Sequence, residues 1–404
     1  MPNTIPVSTL LAKTGLAIIK NEMPFFRSLD RLAERQWQGS GFKHGDTLTI
    51  KTPDRPVATI GRVATADDFV QGTQTVSVIQ AHVLKEFTSA ELTNNLQSLE
   101  EVMQPVMNTL ANRVDRYALE TLTPRVYNAV GTMGTAISSQ QTLIQGNARI
   151  SWQGAPTRGR IAVLDPATDA AIANSQVAVF NQPNNSNETG SMTGGGMRYG
   201  AEIKMSQNVY RHTNPAYTGT PLVNGASQSG ASLVTDGWGA SITNVMTVGT
   251  KFTIAGVFAI NLENRQSTGE LQQFTVTAAA NSDGSGNATL SISPPIFGPA
   301  TPKTQTVSAL PADNAAITVY GGASASGSQS LVYHPTAFLR VGLKLEEAYV
   351  AENLRSYETD DETGISMRVT MGNDLLNDLN RVRFDIFFGV APGRIERACI
   401  LQSN

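Results

Sequence analysis

Cysteine, histidine and charge are all scarce in this chain. Its 404 residues include one cysteine and four widely spaced histidines, which excludes an intrachain disulfide and a cysteine-based zinc site. Charged residues make up 16% of the chain and the formal net charge is −3, which argues against a dedicated nucleic-acid-binding protein. No histidine has a context that marks a catalytic set. The composition therefore offers little for metal or nucleophilic chemistry.

Long hydrophobic runs are also missing. The chain has no stretch of about eighteen apolar residues, which predicts that it does not span a membrane. The N-terminus lacks a basic start, and Lys13 and Lys20 interrupt what would be the apolar core of a signal peptide. We therefore expect synthesis in a cytoplasm. The 35 glycines and many small polar residues indicate extensive β structure and turns.

The first residues predict a helical arm. Apolar residues recur at helical intervals over 7–35, and Pro24 divides the arm into two halves. Phe25 and Phe26 belong to its apolar side. Two alternatives remain open: the arm packs on its own core, or it lies on a neighbouring chain.

A two-residue period follows over 39–83 and predicts a long two-stranded hairpin. The alternation is carried on its two sides by Leu48, Ile50, Val76 and Val78. A hairpin of this kind is marginal alone, and its edges invite pairing with another chain. We therefore expect neighbouring chains to cover it.

A continuous apolar stripe at spacings of three and four then indicates helices. Proline is tolerated in a first turn and disrupts a helix interior, so Pro105 predicts two helices, over about 89–103 and 105–128.

An α/β region comes next, with a buried strand at Arg160–Leu164. Asp165 and Pro166 have the residue types that begin a helix. A surface loop is predicted over 181–200, and a strand over Ala201–Met205.

From about residue 224 to 327 the chain is nearly free of charge. Short alternating segments separated by Gly-, Asn-, Ser- or Pro-bearing turns predict a small sandwich or barrel. The α/β pattern returns at Leu331, so this domain is inserted within another one, and Gly321–Gly327 is predicted as a flexible exit linker. Beyond it we predict a helix over 337–354, a strand at Ile365–Val369 and a final strand at Val382–Val390.

No constellation with catalytic chemistry can be nominated. Gly194–Gly200 lacks the Lys-Ser/Thr of a phosphate loop, and the acidic run at 360–362 lacks the spacing of a calcium loop. Asp165 is explained as a helix cap, and we expect Asp385 to pair with an arginine. Cys399 is predicted to be a small buried apolar residue. The sequence therefore predicts neither an enzyme nor a cofactor or metal site.

The order of these elements resembles that of one family. An N-terminal helical arm, a long hairpin, a long helix, an α/β domain and an inserted β domain resemble the coat proteins of short-tailed, double-stranded-DNA phages. These proteins add an insertion domain to the capsid fold common to tailed phages and herpesviruses. The resemblance covers nearly the whole chain and is carried by Met23–Leu32, Gly45–Lys51, Leu99–Val106, Val163–Pro166, Val248–Val257, Ala280–Gly284 and Arg383–Val390.

The resemblance implies an α+β capsid fold with an inserted all-β barrel. Its implied parts are an N-terminal arm (1–38), an extended-loop hairpin with P-domain strands (39–88), a P-domain with a spine helix (89–130), an A-domain interrupted by the barrel (131–223, 224–327), and the return of the A- and P-domains (328–404). The implied partners are copies of the same chain in pentamers and hexamers, a scaffolding protein, a portal protein at one vertex, and packaged double-stranded DNA. The implied location is the virion.

Candidate inter-subunit contacts lie in the arm and the hairpin. They are Phe25, Phe26, Leu48, Ile50, Lys51, Arg55, Arg62, Val76 and Val78.

Some related shells join a hairpin lysine to a neighbour's asparagine. Nothing marks a partner for Lys43 or Lys51, so we predict no crosslink and no ladder of covalent oligomers on a denaturing gel. The alternatives to a capsid protein are a secreted or surface-exposed β-rich binding protein and a bacterial nanocompartment shell.

Overall fold

A computed structural model describes residues 7–32, 47–52, 55–56, 62, 72–94, 99–177, 197–198, 200–345, 354–360 and 364–404. The chain divides into two compact units. The first combines residues 1–50, 74–118 and 339–391, and the second combines 51–73, 119–338 and 392–404. Each unit is therefore built from three segments that are far apart in the sequence.

The described α-helices all precede residue 180, and most of the described strands follow it. The helices are α1 (Val7–Glu22), α2 (Pro24–Arg27), α3 (Ser89–Asn94), α4 (Leu99–Leu122), α5 (Gln141–Trp152) and α6 (Pro166–Val177), with 3₁₀ turns at Thr123–Arg125, Pro335–Ala337 and Ile395–Arg397. The strands are β1 (Thr47–Thr52), β2 (Gly72–Thr88), β3 (Ala129–Gly131), β4 (Arg160–Leu164), β5 (Met197–Arg198), β6 (Ala201–Met205), β7 (Tyr210–Thr213), β8 (Gly219–Val223), β9 (Gly230–Trp238), β10 (Lys251–Ile260), β11 (Ser267–Ala278), β12 (Ala288–Ile296), β13 (Ile317–Val319), β14 (Ser326–Tyr333), β15 (Phe338–Leu343), β16 (Arg355–Thr359), β17 (Ser366–Asp374), β18 (Leu379–Pro392) and β19 (Ala398–Gln402).

The first unit is organised around β18. Its sheet has the order β1-β2-β18-β17-β16, and β15 also pairs with β18. β2 and β18 are antiparallel in an unbroken register from Leu379↔Thr88 to Val390↔Ser77. The predicted pairing of the two hairpin strands is confirmed, because β1 and β2 are neighbours. One edge of this hairpin is covered by the chain's own β18, and most of its tip lies outside the described residues.

The long helix differs from the prediction at both ends. Pro105 lies inside α4, so the two predicted helices over 89–103 and 105–128 are wrong in their bounds. The proline lies beyond the first turn of α4, so it removes one main-chain hydrogen bond from the helix, and the packing of α4 outweighs this local cost. α4 ends at Leu122, because Pro124 follows in a 3₁₀ turn and cannot continue the helix.

The helix predicted over 337–354 is wrong where the structure describes it. Residues Phe338–Leu343 form β15, and 346–353 lie outside the described residues. Phe338 to Gly342 are all buried, Arg340 among them at 2% exposure. A strand covered on both faces loses the alternation that marks a half-buried strand, so periodicity alone cannot separate it from a helix.

The second unit contains an α/β sheet split by the barrel. Its order is β3-β19-β14-β4-β6-β5, and β7 pairs with β14. β4 is buried at every residue, which confirms the predicted buried strand. Asp165 confirms its predicted capping role, since its Oδ2 accepts a hydrogen bond from the Ala167 N–H at 3.2 Å. The strand predicted as final is followed by β19, which pairs with β14 and β3.

Six strands between β7 and β14 form a nearly closed barrel. Their order is β13-β10-β11-β12-β9-β8, and β8 approaches β13 to close the sheet. The Val223 N–H donates to the Ala315 carbonyl at 3.0 Å, and the Asn314 N–H donates to the Val223 carbonyl at 2.9 Å. The interior is filled mainly by aliphatic and aromatic side chains, including the stacked pair Phe252 and Phe274.

The segment predicted as a flexible exit linker is only partly a linker. Ser326 and Gly327 belong to β14 and pair with Thr213 and His212 of β7. The Asn214 side chain also donates to the main-chain carbonyls of Tyr320 and Gly322 at 2.7 and 2.8 Å. A glycine- and serine-rich composition indicates flexibility only when no neighbour supplies hydrogen bonds, and here neighbours do.

The turn at 281–287 provides a test of the barrel's backbone geometry. Gly286 has φ +78°, and a Cβ there would lie 2.2 Å from the Trp238 carbonyl oxygen, whereas a Cβ on Gly284 would meet nothing within 4 Å. We predict that Gly286→Ala lowers the free energy of unfolding by about 2 kcal/mol or more, because strain adds to a backbone clash. Gly284→Ala is the matched control, with a change within about 0.5 kcal/mol. Equal effects in denaturant titrations would contradict this account.

Candidate assembly surfaces and the barrel junction

Phe25 and Phe26, predicted as contacts with a neighbour, lie in the interior of their own subunit. Both are almost fully buried, and their N–H groups donate to Asp115 Oδ1 on α4 at 3.1 and 2.9 Å. The Phe26 ring packs edge-on against Phe388 of β18, with ring centroids 5.6 Å apart. Of the two alternatives for the arm, packing on its own chain therefore holds for α2. A contact between these residues and a neighbour stays a prediction.

The four hairpin candidates also lie together inside the first unit. They share one apolar cluster with residues of β15 and β18, and none is more than 8% exposed: Leu48, Ile50, Val76 and Val78. Their alternation is thus explained by a sheet whose inner face is covered by the same chain. An inter-subunit contact by these four residues stays a prediction.

The three charged candidates lie at or near the surface. Lys51 and Arg62 are exposed. Arg55 is half-buried and forms an ion pair with Glu396, at 2.7 Å between Nη2 and Oε1. Its carbonyl also accepts a hydrogen bond from Arg265 Nη2 at 3.3 Å, so Arg55 is tied to the barrel of its own chain. Lys51 and Arg62 are therefore the candidates whose side chains remain available at the surface. Lys43, the other lysine considered for a crosslink, lies outside the described residues.

Asp385 is paired as predicted, and more extensively. Its carboxylate is fully buried on β18 and accepts from Arg383 Nε and Arg368 Nη2, both at 2.9 Å. Gln80 Nε2 of β2 adds a third hydrogen bond at 2.6 Å. This cluster ties together β2, β17 and β18, because each strand contributes one or more of its members. It is a structural cluster that leaves the carboxylate no open position toward a substrate.

Cys399 is confirmed as a small buried residue. It is fully buried on β19, and burial raises the pKa of its thiol to about 12, so the thiol stays protonated near neutral pH. Among the residues that the structure describes, no three or more His, Cys, Asp or Glu side chains lie together so that they could hold a metal ion. The described helices also include none that is long and apolar enough to cross a membrane. Gly194–Gly196 and 361–363 lie outside the described residues.

The barrel contacts the α/β sheet of its own unit through polar groups of β11. The side chain of Gln273 pairs with both main-chain groups of Ala129, accepting from its N–H at 2.7 Å and donating to its carbonyl at 2.8 Å. Thr275 Oγ1 donates to the Pro124 carbonyl at 2.9 Å. Arg149 of α5 donates to the Leu271 carbonyl at 2.7 Å. We call this set of contacts the barrel junction.

A buried lysine and histidine lie at the same junction. Lys251 is 1% exposed, and its Nζ donates to the Gly249 carbonyl at 2.6 Å and to Gln329 Oε1 of β14 at 3.3 Å. Burial lowers the pKa of Lys251 to about 7. Burial, reinforced by the nearby Lys251 charge, lowers the pKa of His212 to about 4, although a hydrogen bond with Asn214 acts in the opposite direction. Both groups are therefore held in places that disfavour their charged forms.

Sequence reasoning missed the junction, because the alternation along β11 shows which face of the strand is polar but not what covers that face. Gln273 and Thr275 alternate with the core residues Phe274 and Val276, so they lie on the outer face of the barrel. They are nevertheless 3% and 0% exposed. In a single sequence a polar outer face indicates exposure to solvent, and only the neighbouring domain shows that it is buried.

Over residues 55–400, the chain matches the family described as P22 coat protein, gene protein 5. No curated protein sequence is similar enough to count as a match. Solved structures with similarity include a Mycobacterium phage Che8 chain (11% identity, TM-score 0.47, covering 93% of this chain and 89% of that one) and the capsid of cyanophage P-SCSP1u (11%, 0.42, 90% and 85%). The CUS-3 coat protein I-domain is 28% identical, with a TM-score of 0.20, over 26% of this chain and 98% of that one.

The class of protein follows from the family match together with the fold. A sheet and long helix in one unit, and an α/β sheet interrupted by a barrel in the other, form the capsid fold of tailed phages with an inserted β domain. The TM-scores are below 0.5, so family membership rests on the family match, which spans most of the sequence. The chain belongs to the P22 coat protein family and is a structural major capsid protein of a tailed, double-stranded-DNA phage. The two alternatives, a surface binding protein and a nanocompartment shell, have no support.

The Asp385 cluster predicts a large loss of stability on truncation. Asp385→Ala leaves Arg368 and Arg383 without their carboxylate, and we expect the free energy of unfolding to fall by about 2–4 kcal/mol. This is less than for a fully buried pair, because the two arginines are 19% and 42% exposed. The control on the same strands is Glu86→Ala, which removes an exposed pair with Arg381 and should cost less than about 1 kcal/mol. Similar denaturant midpoints for the two variants would refute the role of the cluster.

Because of His212, we expect the free energy of unfolding to depend on pH. Its pKa is lower in the folded chain than its usual 6.5, so between pH 6.5 and about 4 the unfolded chain binds a proton that the folded chain does not. Stability should therefore fall as the pH is lowered through this window, by up to about 3 kcal/mol from this group. His212→Gln should flatten the slope of unfolding free energy against pH. The control is His82→Gln, which replaces an exposed histidine on β2, outside the barrel junction.

Proposed function

We propose that this coat protein forms the pentamers and hexamers of an icosahedral phage head that encloses double-stranded DNA. Membership of the P22 coat protein family is the observation that supports this. The exposed Lys51 and Arg62 lie in the predicted hairpin region, where they are available to another subunit. We further propose that the chain is made in the host bacterial cytoplasm and assembles on a scaffolding protein, with a portal protein at one vertex.

DNA contact is proposed to be non-specific. The formal net charge of −3 provides no general attraction for phosphate, so the shell encloses the DNA without depending on tight binding to it. The proposed role is structural, without catalysis: Asp165 caps a helix, Asp385 is paired, and Cys399 is buried. Cofactors have no part in it.

We assign the predicted parts of the fold to this role as follows. The arm (1–38) and the hairpin (39–88) are the elements that contact neighbouring subunits. The region 89–130 with α4 is the spine, and 131–223 with 328–404 forms the A-domain and the return to the spine. The barrel, predicted over 224–327, is the inserted domain, and its strands run from Gly219 to Val319.

The barrel is proposed to brace the α/β sheet of its own subunit. The junction places main-chain groups of Ala129 and Pro124 against side chains of β11, and β3 begins at Ala129. These groups lie in the interior, where a missing partner is costly. The barrel therefore completes the hydrogen bonding at one edge of the split sheet, and a subunit with a loosened barrel would present that edge incorrectly to its neighbours.

Electron microscopy of the purified protein tests the proposed function. We expect closed shells, or sheets and tubes made of hexamers, at protein concentrations high enough for assembly. A protein that stays monomeric under all assembly conditions, with scaffolding protein present, would overturn it. A denaturing gel of mature shells tests the absence of covalent crosslinks in the same preparation.

Gln273→Leu tests the bracing role at the barrel junction, and it also removes the hydrogen bond from Gln273 to the Tyr320 hydroxyl. The change removes both hydrogen bonds to Ala129, and we expect a loss of about 2–4 kcal/mol in the free energy of unfolding together with fewer regular shells. The control is Thr289→Val, a polar-to-apolar change at an exposed position of β12. Regular shells from Gln273→Leu at the wild-type yield would show that the junction does not brace the subunit.

A further inference from the structure

Two adjacent leucines are displayed at the tip of the β17–β18 hairpin. Leu375 is 89% exposed and Leu376 is 93% exposed, while the next most exposed large apolar side chain in the described residues, Met205, is 59% exposed. Turns of this kind favour Gly, Asn, Asp and Ser, and their geometry does not need leucine. The tip therefore carries apolar surface that its own fold does not use.

The tip is held in a defined shape. Asp374 Oδ1 accepts the Leu376 N–H at 3.0 Å, and Oδ2 accepts from the Asn377 side chain at 2.8 Å. Asp378 has φ +50°, and its Oδ1 accepts the Ser89 hydroxyl at 2.6 Å. The strands below the tip stay in register from Asp374↔Leu379 onward. An ordered tip loses little conformational entropy when its leucines are buried by a partner.

We propose that Leu375 and Leu376 form an apolar plug that inserts against a second copy of this coat protein. The proposal rests on the shell-forming function. Two leucines bury on the order of a few hundred Å², below the roughly 1,200–2,000 Å² of a stable pairwise complex. So small a contact stabilises an assembly only when it is repeated many times, and a shell of identical subunits repeats it once per subunit.

Charge argues against a lipid surface as the occupant. The carboxylates of Asp374 and Asp378 flank the two leucines and would lie against any anionic headgroups. A protein surface tolerates them more easily, since it can place polar groups around an apolar pocket. The partner site is therefore an apolar depression on another subunit with a polar or basic rim.

A single introduced cysteine tests burial of the tip in the shell. The native Cys399 is fully buried, so Leu376→Cys adds the one readily reactive thiol among the described residues. We expect rapid reaction with a maleimide in unassembled subunits and at least about tenfold slower reaction in shells. Denatured shells, which should react fully, control for loss of the thiol. Equal reaction rates in subunits and shells would overturn the proposal.

Removal of the apolar surface tests its contribution to assembly. The double variant Leu375→Ser, Leu376→Ser should raise the concentration needed for assembly at least about tenfold, because burial of one leucine alone is worth about that factor. Its unfolding midpoint should stay at the wild-type value, since both side chains are exposed. The matched variant Leu375→Met, Leu376→Met keeps the apolar character and should assemble as the wild type does.

Three further outcomes would contradict the plug. One is wild-type assembly of the serine variant. In another, lipid vesicles or scaffolding protein protect the introduced thiol in unassembled subunits, whereas shells freed of scaffold leave it unprotected. That result would identify a lipid surface or the scaffolding protein as the partner of the tip. If the wild-type chain forms no shells at all, the proposed function fails first, and this inference falls with it.

Discussion

Main-chain pairing between distant segments is the constraint on which both units depend. β2 and β18 pair from Leu379↔Thr88 to Val390↔Ser77, although Gln80 and Asp385 on these two strands are 305 residues apart along the chain. In the second unit β14 pairs with β4, β7 and β19, which lie before and after the barrel. No one segment can satisfy its own hydrogen bonds, so each unit forms only when its segments come together.

Buried polar groups fix the places where those segments meet. Asp115 of α4 receives the N–H groups at the start of α2, and Asp385 of β18 receives two arginines and Gln80. At the barrel junction, Gln273 completes the hydrogen bonding of Ala129. An unpaired polar group in the interior costs free energy, so each of these contacts favours one alignment of the segments over the shifted alignments that would break it. The apolar core supplies most of the stability, and these contacts supply the specificity of the arrangement.

The sequence predicted several elements well because their signals are local. The buried strand β4 is marked by the continuous apolar residues 161–164, the start of α6 by Asp165 and Pro166, and the barrel by low charge and repeated turns. The errors occurred where a local signal was overridden. Pro105 was accommodated inside α4, and Phe338–Leu343 was buried on both faces, which removed the alternation expected of a strand.

The sequence by itself determined the class of the fold, the insertion of a β domain within an α/β domain and the resemblance to a coat-protein family. Periodicity, turn composition and the order of elements are properties of neighbouring residues, so they are visible without a structure. Only the tertiary structure decided which polar residues are buried, which candidate contacts lie inside their own subunit, and which leucines are displayed. Leu48 and Leu376 are the same residue type, but Leu48 is 7% exposed and Leu376 is 93% exposed. The difference arises because strands from distant parts of the sequence cover Leu48 and leave Leu376 uncovered.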